Sequence, residues 1–189
     1  MIRPIEFDTA RLILRQWKEA DRTPFAALCA DPEVMKFFIS SVLDRSTSDA
    51  RVAKWAKRIE EDGWGFWAIE LKADSTFIGF AGLQVPAEDH PCMPCVEIGW
   101  RLAKAYWGNG YATEAARGVL RVAFDELSMP KIIATTAVGN HRSSTVMERL
   151  GMRGPEAVFR FPDVPESNPL GQHVLYRISR EQWAEPKAA

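Results

Sequence analysis

The stretch Trp107-Gly108-Asn109-Gly110-Tyr111-Ala112-Thr113-Glu114-Ala115 concentrates the chemistry of this chain. Its two glycines let the backbone bend and approach a ligand with no Cβ in the way. The residues after Gly110 read as a helix, whose first amides have no intrahelical partner and lie at the positive end of the helix dipole. Such a cradle suits an anion, a pyrophosphate above all. Two known phosphate loops fail the comparison. The P-loop needs Gly-Lys followed by Ser or Thr, which is absent. The dinucleotide fingerprint needs Gly or Ala where Thr113 stands, and an acidic residue about twenty positions on, where this chain has Lys131-Ile-Ile-Ala-Thr-Thr.

Glu97 lies between Val96 and Ile98 in a strand-like run. A carboxylate there faces a sheet surface that a core accepts only beside a polar cleft, so Glu97 is a candidate base. The alternative is a structural carboxylate paired with Arg101 or another basic group. His90-Pro-Cys92-Met-Pro-Cys95 holds three potential metal ligands, or a redox pair. Zinc wants four ligands and no second cluster lies nearby in sequence, so no metal is expected. His141 and His173 read as ordinary exposed or strand histidines. Cys29 falls on an early helix, and no Cys-His pairing is readable from spacing.

The surrounding elements must hold these groups. A first strand is expected at Arg11 to Gln16, then a helix capped by Asp21 and running through Cys29, and a second start at Asp31-Pro32-Glu33. Val52, Trp55, Ala56 and Ile59 make one apolar stripe on a helix from Ser46 that stops by Gly63. Gly65 to Leu71 and Thr76 to Leu83 form a hairpin of strands two and three. A loop from Pro86 to Pro94 precedes strand four, Val96 to Leu102. The helix opened by Gly110 carries Ala112, Ala115, Ala116, Val119, Leu120, Ala123, Phe124 and Leu127 on one face and ends at Met129-Pro130. Strand five, Lys131 to Ala137, follows. Asn140 caps a helix closed by Gly151, and Val158 to Phe161 and His173 to Ile178 are the last strands, joined by a loop from Pro162 to Gly171. The order describes one mixed α/β (α+β) domain over residues 1–189, without repeat or linker.

The chain has 189 residues with 24 basic and 25 acidic side chains, a net charge of -1. That balance argues against nucleic-acid partners, which call for a basic surplus. With 47% hydrophobic and 26% charged residues the chain belongs to the globular class. No window approaches a membrane span and no apolar leader follows Met1. Three cysteines, an odd number, argue against a disulfide framework. A cytoplasmic protein with no membrane partner is expected, as monomer or homodimer.

The loop resembles that of the GNAT superfamily of N-acyltransferases, whose pyrophosphate motif is Gln/Arg-x-x-Gly-x-Gly/Ala. Trp107 stands at its first place, Gly110 at the fourth and Ala112 at the sixth. The Trp-Gly-x-Gly-Tyr-Ala-Thr-Glu-Ala form is similar to the branch of ribosomal-protein alanine N-acetyltransferases of the RimJ/RimL type. Thr9-Ala-Arg-Leu-Ile-Leu-Arg15, Phe77-Ile-Gly-Phe-Ala-Gly-Leu83, Val96 to Leu102 and Asn140-His-Arg-Ser-Ser-Thr-Val-Met-Glu-Arg-Leu-Gly-Met152 agree in order and separation. The resemblance covers about Thr9 to Ile178.

This resemblance implies a mixed, mostly antiparallel sheet of about seven strands flanked by helices and splayed between strands four and five. It implies acetyl-coenzyme A as cosubstrate, with its pantetheine arm along Trp100, Arg101 and Leu102 and its pyrophosphate on Trp107, Gly108, Asn109, Gly110, Tyr111, Ala112 and Thr113. It assigns Glu97 the base, and gives Asn140 a contact with the cofactor arm besides its cap. Ser143 would lie near the thioester sulfur and orient a thiolate whose own pKa is near ~8.5. Many relatives carry a tyrosine acid where this chain has Met147. Trp64, Phe66 and Trp67 are candidates to line the acceptor pocket from their place after the long early helix. The expected reaction is direct attack of a primary amine, from a protein N-terminus or a small molecule, on the thioester. Loss of the tyrosine leaves a second reading, a non-catalytic acyl-coenzyme A sensor or interaction module on the same fold.

Overall fold

The computed structural model describes residues 2–161 and 164–185. Within them a single sheet holds the strands in the order β1-β2-β3-β4-β5-β6-β8-β7. These are β1 (Phe7–Asp8), β2 (Leu12–Arg15), β3 (Phe66–Leu71), β4 (Phe77–Gln84), β5 (Glu97–Leu102), β6 (Lys131–Ala137), β7 (Arg153–Arg160) and β8 (Gln172–Ser179). The helices are α1 (Arg22–Ala30), α2 (Pro32–Met35), α3 (Arg45–Asp62), α4 (Tyr111–Arg121), α5 (His141–Arg149) and α6 (Arg180–Ala184). No helix among the described residues is long and apolar enough to cross a membrane.

The expected count of seven strands becomes eight because Phe7–Asp8 adds an edge strand against Leu14 and Ile13. Two residues are too few to show any alternation in the sequence. The strands expected as four and five are therefore β5 and β6. They are the sheet's one parallel pair, registered only at Glu97 opposite Ile133, and a bond from the Ile133 amide to the Val96 carbonyl (3.0 Å) closes that end. Beyond it the strands diverge, as the splay expectation requires. Antiparallel ladders hold every other neighbour.

Alternation along the strands divides the side chains between two faces. Phe66, Phe80 and Arg101 point one way. Phe80 and Phe66 meet Trp55 of α3 at ring-centroid distances of 4.6 and 5.0 Å, and Phe80 lies 6.0 Å from Phe25 of α1. Trp67, Trp100 and Leu102 point the other way, the side on which α4 packs across β2, β4 and β5. The sheet core is thus sealed by α1 and α3 on one face and by α4 and α5 on the other.

One capping expectation is not met. Asp44 caps α3 through the Thr47 amide (2.7 Å) and Asn140 caps α5, but Asp21 does not cap α1. Its carboxylate instead receives Arg15 Nη1 and Nη2 at 2.7 and 2.9 Å, while Arg15 Nε donates to Glu70 at 2.6 Å. All three side chains are buried. A charge removed from water needs a counter-charge more than a helix start needs a cap, so Asp21 is committed to the ion network.

Candidate active site

The divergence of β5 from β6 opens onto a cleft of about 580 Å³. The Trp100 to Leu102 segment forms one wall, and Asn140, Ser143, Thr145 and Val146 of α5 another. The turn from Tyr106 through Gly110 into Tyr111, Ala112 and Thr113 forms the third, and Glu33, Val34, Phe37 and Phe38 close the last. A parallel pair that separates after one registered position leaves backbone edges without a neighbour, which is where an extended ligand can bind.

Gly110 is the N-cap of α4 at φ +78, and Gly108 has φ +80. Both occupy the left-handed region that L side chains rarely adopt, and a Cβ at Gly108 would meet nothing within 4 Å. Backbone conformation, not space, therefore demands these glycines. No side chain caps α4, and its first backbone bond runs from the Glu114 amide to the Gly110 carbonyl (3.0 Å). The Tyr111, Ala112 and Thr113 amides at the cleft are left as oriented donors.

The rest of the motif builds the loop. Trp107 Nε1 donates to the Leu102 carbonyl at 2.9 Å, tying the turn to the end of β5, and the Arg142 guanidinium lies 4.3 Å from the Trp107 ring centroid. Asn109 Nδ2 donates to the Tyr106 and Trp107 carbonyls (3.3 and 3.1 Å). The Asn109 side chain therefore braces the turn. Glu114 accepts from Thr9 Oγ1 (2.6 Å), the Arg11 amide (2.7 Å) and Arg11 Nε (2.7 Å). Burial pushes the Glu114 carboxyl up, but the Thr9 and Arg11 bonds outweigh it and hold it below the ordinary value. This clamp joins the Thr9-Ala-Arg segment to α4 and explains why the two occur together.

Asn140 Oδ1 receives the Ser143 amide (3.4 Å), while Nδ2 donates to Thr136 Oγ1 (2.9 Å) and Ser143 Oγ (3.1 Å). The cap is present, and both side chains line the cleft. Met147 is 2% exposed, packed in the core, so no acid stands where the resemblance places a tyrosine in many relatives. Two other phenols, Tyr106 and Tyr111, stand on the wall.

Glu97 sits at the closed end of the β5–β6 junction, outside the cleft wall. Its Oε2 receives Gln84 Nε2 at 2.8 Å and its Oε1 receives the Thr135 hydroxyl. The anticipated structural pairing with Arg101 does not form. Glu33 is the carboxylate that does line the cleft. Sequence reasoning missed it because an exposed glutamate in the first turn of a short helix has a sufficient local explanation.

The three proposed acceptor-pocket aromatics are corrected. Trp67 is 0% exposed on the α4 face, and its indole donates to the Ile5 carbonyl (2.7 Å). Phe66 belongs to the aromatic core with Trp55 and Phe80. Trp64 lies by Arg58 at the end of α3, at 5.9 Å. Core packing has taken Phe66 and Trp67, Trp64 lies half-buried against the core's edge and off the cleft, and Val34, Phe37 and Phe38 supply the apolar wall.

Among the described residues no group of three or more His, Cys, Asp or Glu side chains could hold a metal ion. Burial pushes the Cys95 thiol up to about 11 and raises those of Cys29 and Cys92. These thiols stay protonated near neutral pH and are poor nucleophiles. His90 and His173 pack, mostly edge to face, against Phe159 and Phe161 away from the cleft.

Residues 11–153 match the acetyltransferase (GNAT) domain. The chain is 32% identical over 179 residues to the FsC-acetyl coenzyme A-N(2)-transacetylase of Aspergillus fumigatus, covering 93% of this chain and 76% of that one. It is 29% identical over 175 residues to the uncharacterized N-acetyltransferase YnaD of Bacillus subtilis, covering 93% and 97%. The crystal structure of an acetyltransferase (GNAT family) from Bacillus anthracis matches with a TM-score of 0.79 at 26% identity, covering 94% of this chain and 99% of that one.

Proposed function

The chain belongs to the acetyltransferase (GNAT) family, and on that premise we propose that it transfers an acetyl group from acetyl-coenzyme A to a primary amine in a ternary complex. The observation that carries this reading is the convergence, on one cleft, of the uncapped α4 N-terminus and the open edge of β5. Acetyl-coenzyme A supplies the activated thioester, and the cradle suits its pyrophosphate because it is donor-rich, cation-flanked and free of a competing side-chain cap.

In this reading the amides from Gly108 to Thr113 hold the pyrophosphate, with Arg142 and Arg149 on the same cleft adding positive charge. The Trp100 to Leu102 backbone holds the pantetheine arm as a strand would. Asn140 and Ser143 stand against that arm, Ser143 orienting the sulfur. Glu97 takes up the amine proton through intervening water, since it lies behind the wall; Glu33 is the competing acceptor on the wall itself. No covalent intermediate is needed.

The acceptor is a protein N-terminus, as in the ribosomal-protein branch whose motif the loop resembles, or a small-molecule amine. Thiol release from acetyl-coenzyme A over a panel of peptide N-termini and small amines tests the proposal. Amine-dependent release with a matching acetylated product supports it. Tight coenzyme A binding with no release on any amine would replace it with the sensor reading.

A further inference from the structure

Arg101 is 6% exposed and lines the cleft, yet among the described residues no carboxylate bonds to it. Its guanidinium lies 3.7 Å from the Phe38 ring centroid and 5.4 Å from that of Phe80. Among the described residues its one hydrogen bond is from Nη1 to Cys29 Sγ at 3.6 Å, and Nε is buried without a partner there. Burial lowers the guanidinium to about 10, which still leaves it cationic at neutral pH. Cys29 is no counter-ion, because burial raises its thiol and keeps it neutral. The other charged neighbour acting on Arg101 is Arg51, which has the same sign.

The contrast with Arg15 is informative. That guanidinium is equally buried and is matched by two carboxylates, Asp21 and Glu70. This fold can pair a buried arginine, and at Arg101 it does not. A buried charge without a partner is costly, and such groups mark places where a ligand supplies what is missing. Arg101 also points to the α1–α3 face, opposite the side carrying α4 and its amides, so a pyrophosphate on that cradle does not satisfy it.

We propose that Arg101 receives a carboxylate carried by one of the two reactants, in the first instance an acceptor amine that also bears a carboxylate. The guanidinium offers a two-pronged donor set to a carboxylate, and the Phe38 ring holds its plane. Val34, Phe37 and Phe38 would flank the carbon chain between amine and carboxylate. The inference rests on the acetyltransferase reading and narrows its substrate class.

The test uses matched pairs differing only in carboxylate against carboxamide: β-alanine, 5-aminopentanoate and a dipeptide, each beside its amide. Thiol release is measured with acetyl-coenzyme A for the wild type and Arg101→Met. Binding is titrated by calorimetry on the coenzyme A complex, which needs no turnover. The wild type should prefer the carboxylate member of at least one pair by on the order of a hundredfold in kcat/KM, with a matching preference in binding. Arg101→Met should abolish that preference, so that the two members of each pair differ by less than about threefold in kcat/KM and in binding, and Arg101→Lys should restore part of it. A second arm offers succinyl-coenzyme A with the carboxamides; an Arg101-dependent gain there places the carboxylate on the donor.

Equal rates and equal binding for both members of every pair, with no gain from succinyl-coenzyme A, would overturn the inference while leaving the transferase reading intact. Absence of turnover on every amine, with the binding preference present, would overturn the transferase reading alone. Methionine should keep or raise Tm, since it removes an uncompensated charge. A fall of more than about 5 °C would mark the guanidinium as structural and also overturn the inference.

Discussion

Replacing Gly110 separates the anion cradle from the fold. At φ +78 any L residue costs about 1–2 kcal/mol, and a Cβ there meets only Arg11 Nη2 at 3.6 Å, an ordinary contact. Gly110→Ala therefore carries backbone strain alone and lowers Tm by roughly 2–8 °C. Gly110→Asp carries the same strain and adds a carboxylate at the N-cap, where it competes for the Ala112 and Thr113 amides. It also places a negative charge beside the phosphate site. At ~5 Å and an effective dielectric of ~20, the repulsion against one phosphate charge is about 3 kcal/mol, on the order of a hundredfold in Kd. Calorimetric titration with acetyl-coenzyme A, beside thermal melts of both variants, measures the two effects apart. The aspartate variant should melt close to the alanine variant and bind far more weakly. If it binds acetyl-coenzyme A within threefold of Gly110→Ala, the pyrophosphate does not lie on these amides.

Glu97→Gln should lower kcat by about 10²-fold with acetyl-coenzyme A affinity unchanged, while Glu33→Gln leaves kcat within threefold; the reverse pattern in stopped-flow rates would move the proton acceptor to Glu33. Arg15→Met leaves Asp21 buried without its counter-charge and Glu70 with Lys18 alone, at a cost of about 3–5 kcal/mol in urea unfolding, and a loss below 1 kcal/mol would show the network to be dispensable. Burial pushes the Glu70 carboxyl up, but its bonds to Arg15 and Lys18 prevail and hold it below the ordinary value. The stability it contributes is therefore present above its unfolded pKa and lost as pH falls through the folded one. Wild-type ΔG should drop below about pH 4.5, and Arg15→Met should flatten that limb in denaturant titrations from pH 3 to 7. Iodoacetamide at pH 8 should leave Cys95, with its thiol near 11, largely unmodified and turnover intact, as peptide mapping would show; rapid inactivation by alkylation of one thiol would point to a covalent route.

Much of the cleft was legible because its signals are local. A glycine that must take positive φ, an asparagine before a helix and a small-residue stripe declare themselves within a few positions, so Gly108, Gly110, Asn140 and the α4 face were readable, while Ser143 came from the family resemblance. The β5–β6 splay came from the family resemblance, since neither strand's own sequence says that it leaves its neighbour. What escaped depends on distant partners. Trp64, Phe66 and Trp67 have the composition of a ligand wall, and only the packing of Trp55 and Phe80 around Phe66 shows that the core claims it. Asp21 reads as a cap until Arg15 and Glu70 are found beside it. Arg101 was placed in the cofactor strand by position, whereas its lack of a counter-ion is visible only in three dimensions. The α6 start, Ser179 with Gln182 three residues on, is a capping box that was present in the sequence and overlooked.

The central claim is acetyl transfer in a ternary complex through this cleft, and one single-turnover experiment tests it most directly. Enzyme in excess over acetyl-labelled acetyl-coenzyme A is quenched with and without an accepted amine, and protein and small-molecule fractions are analysed by mass spectrometry. Label should pass to the amine, with thiol release dependent on that amine and no acetylated protein at any time. Acetyl-enzyme forming before the amine is added, at a rate matching turnover, would contradict the account.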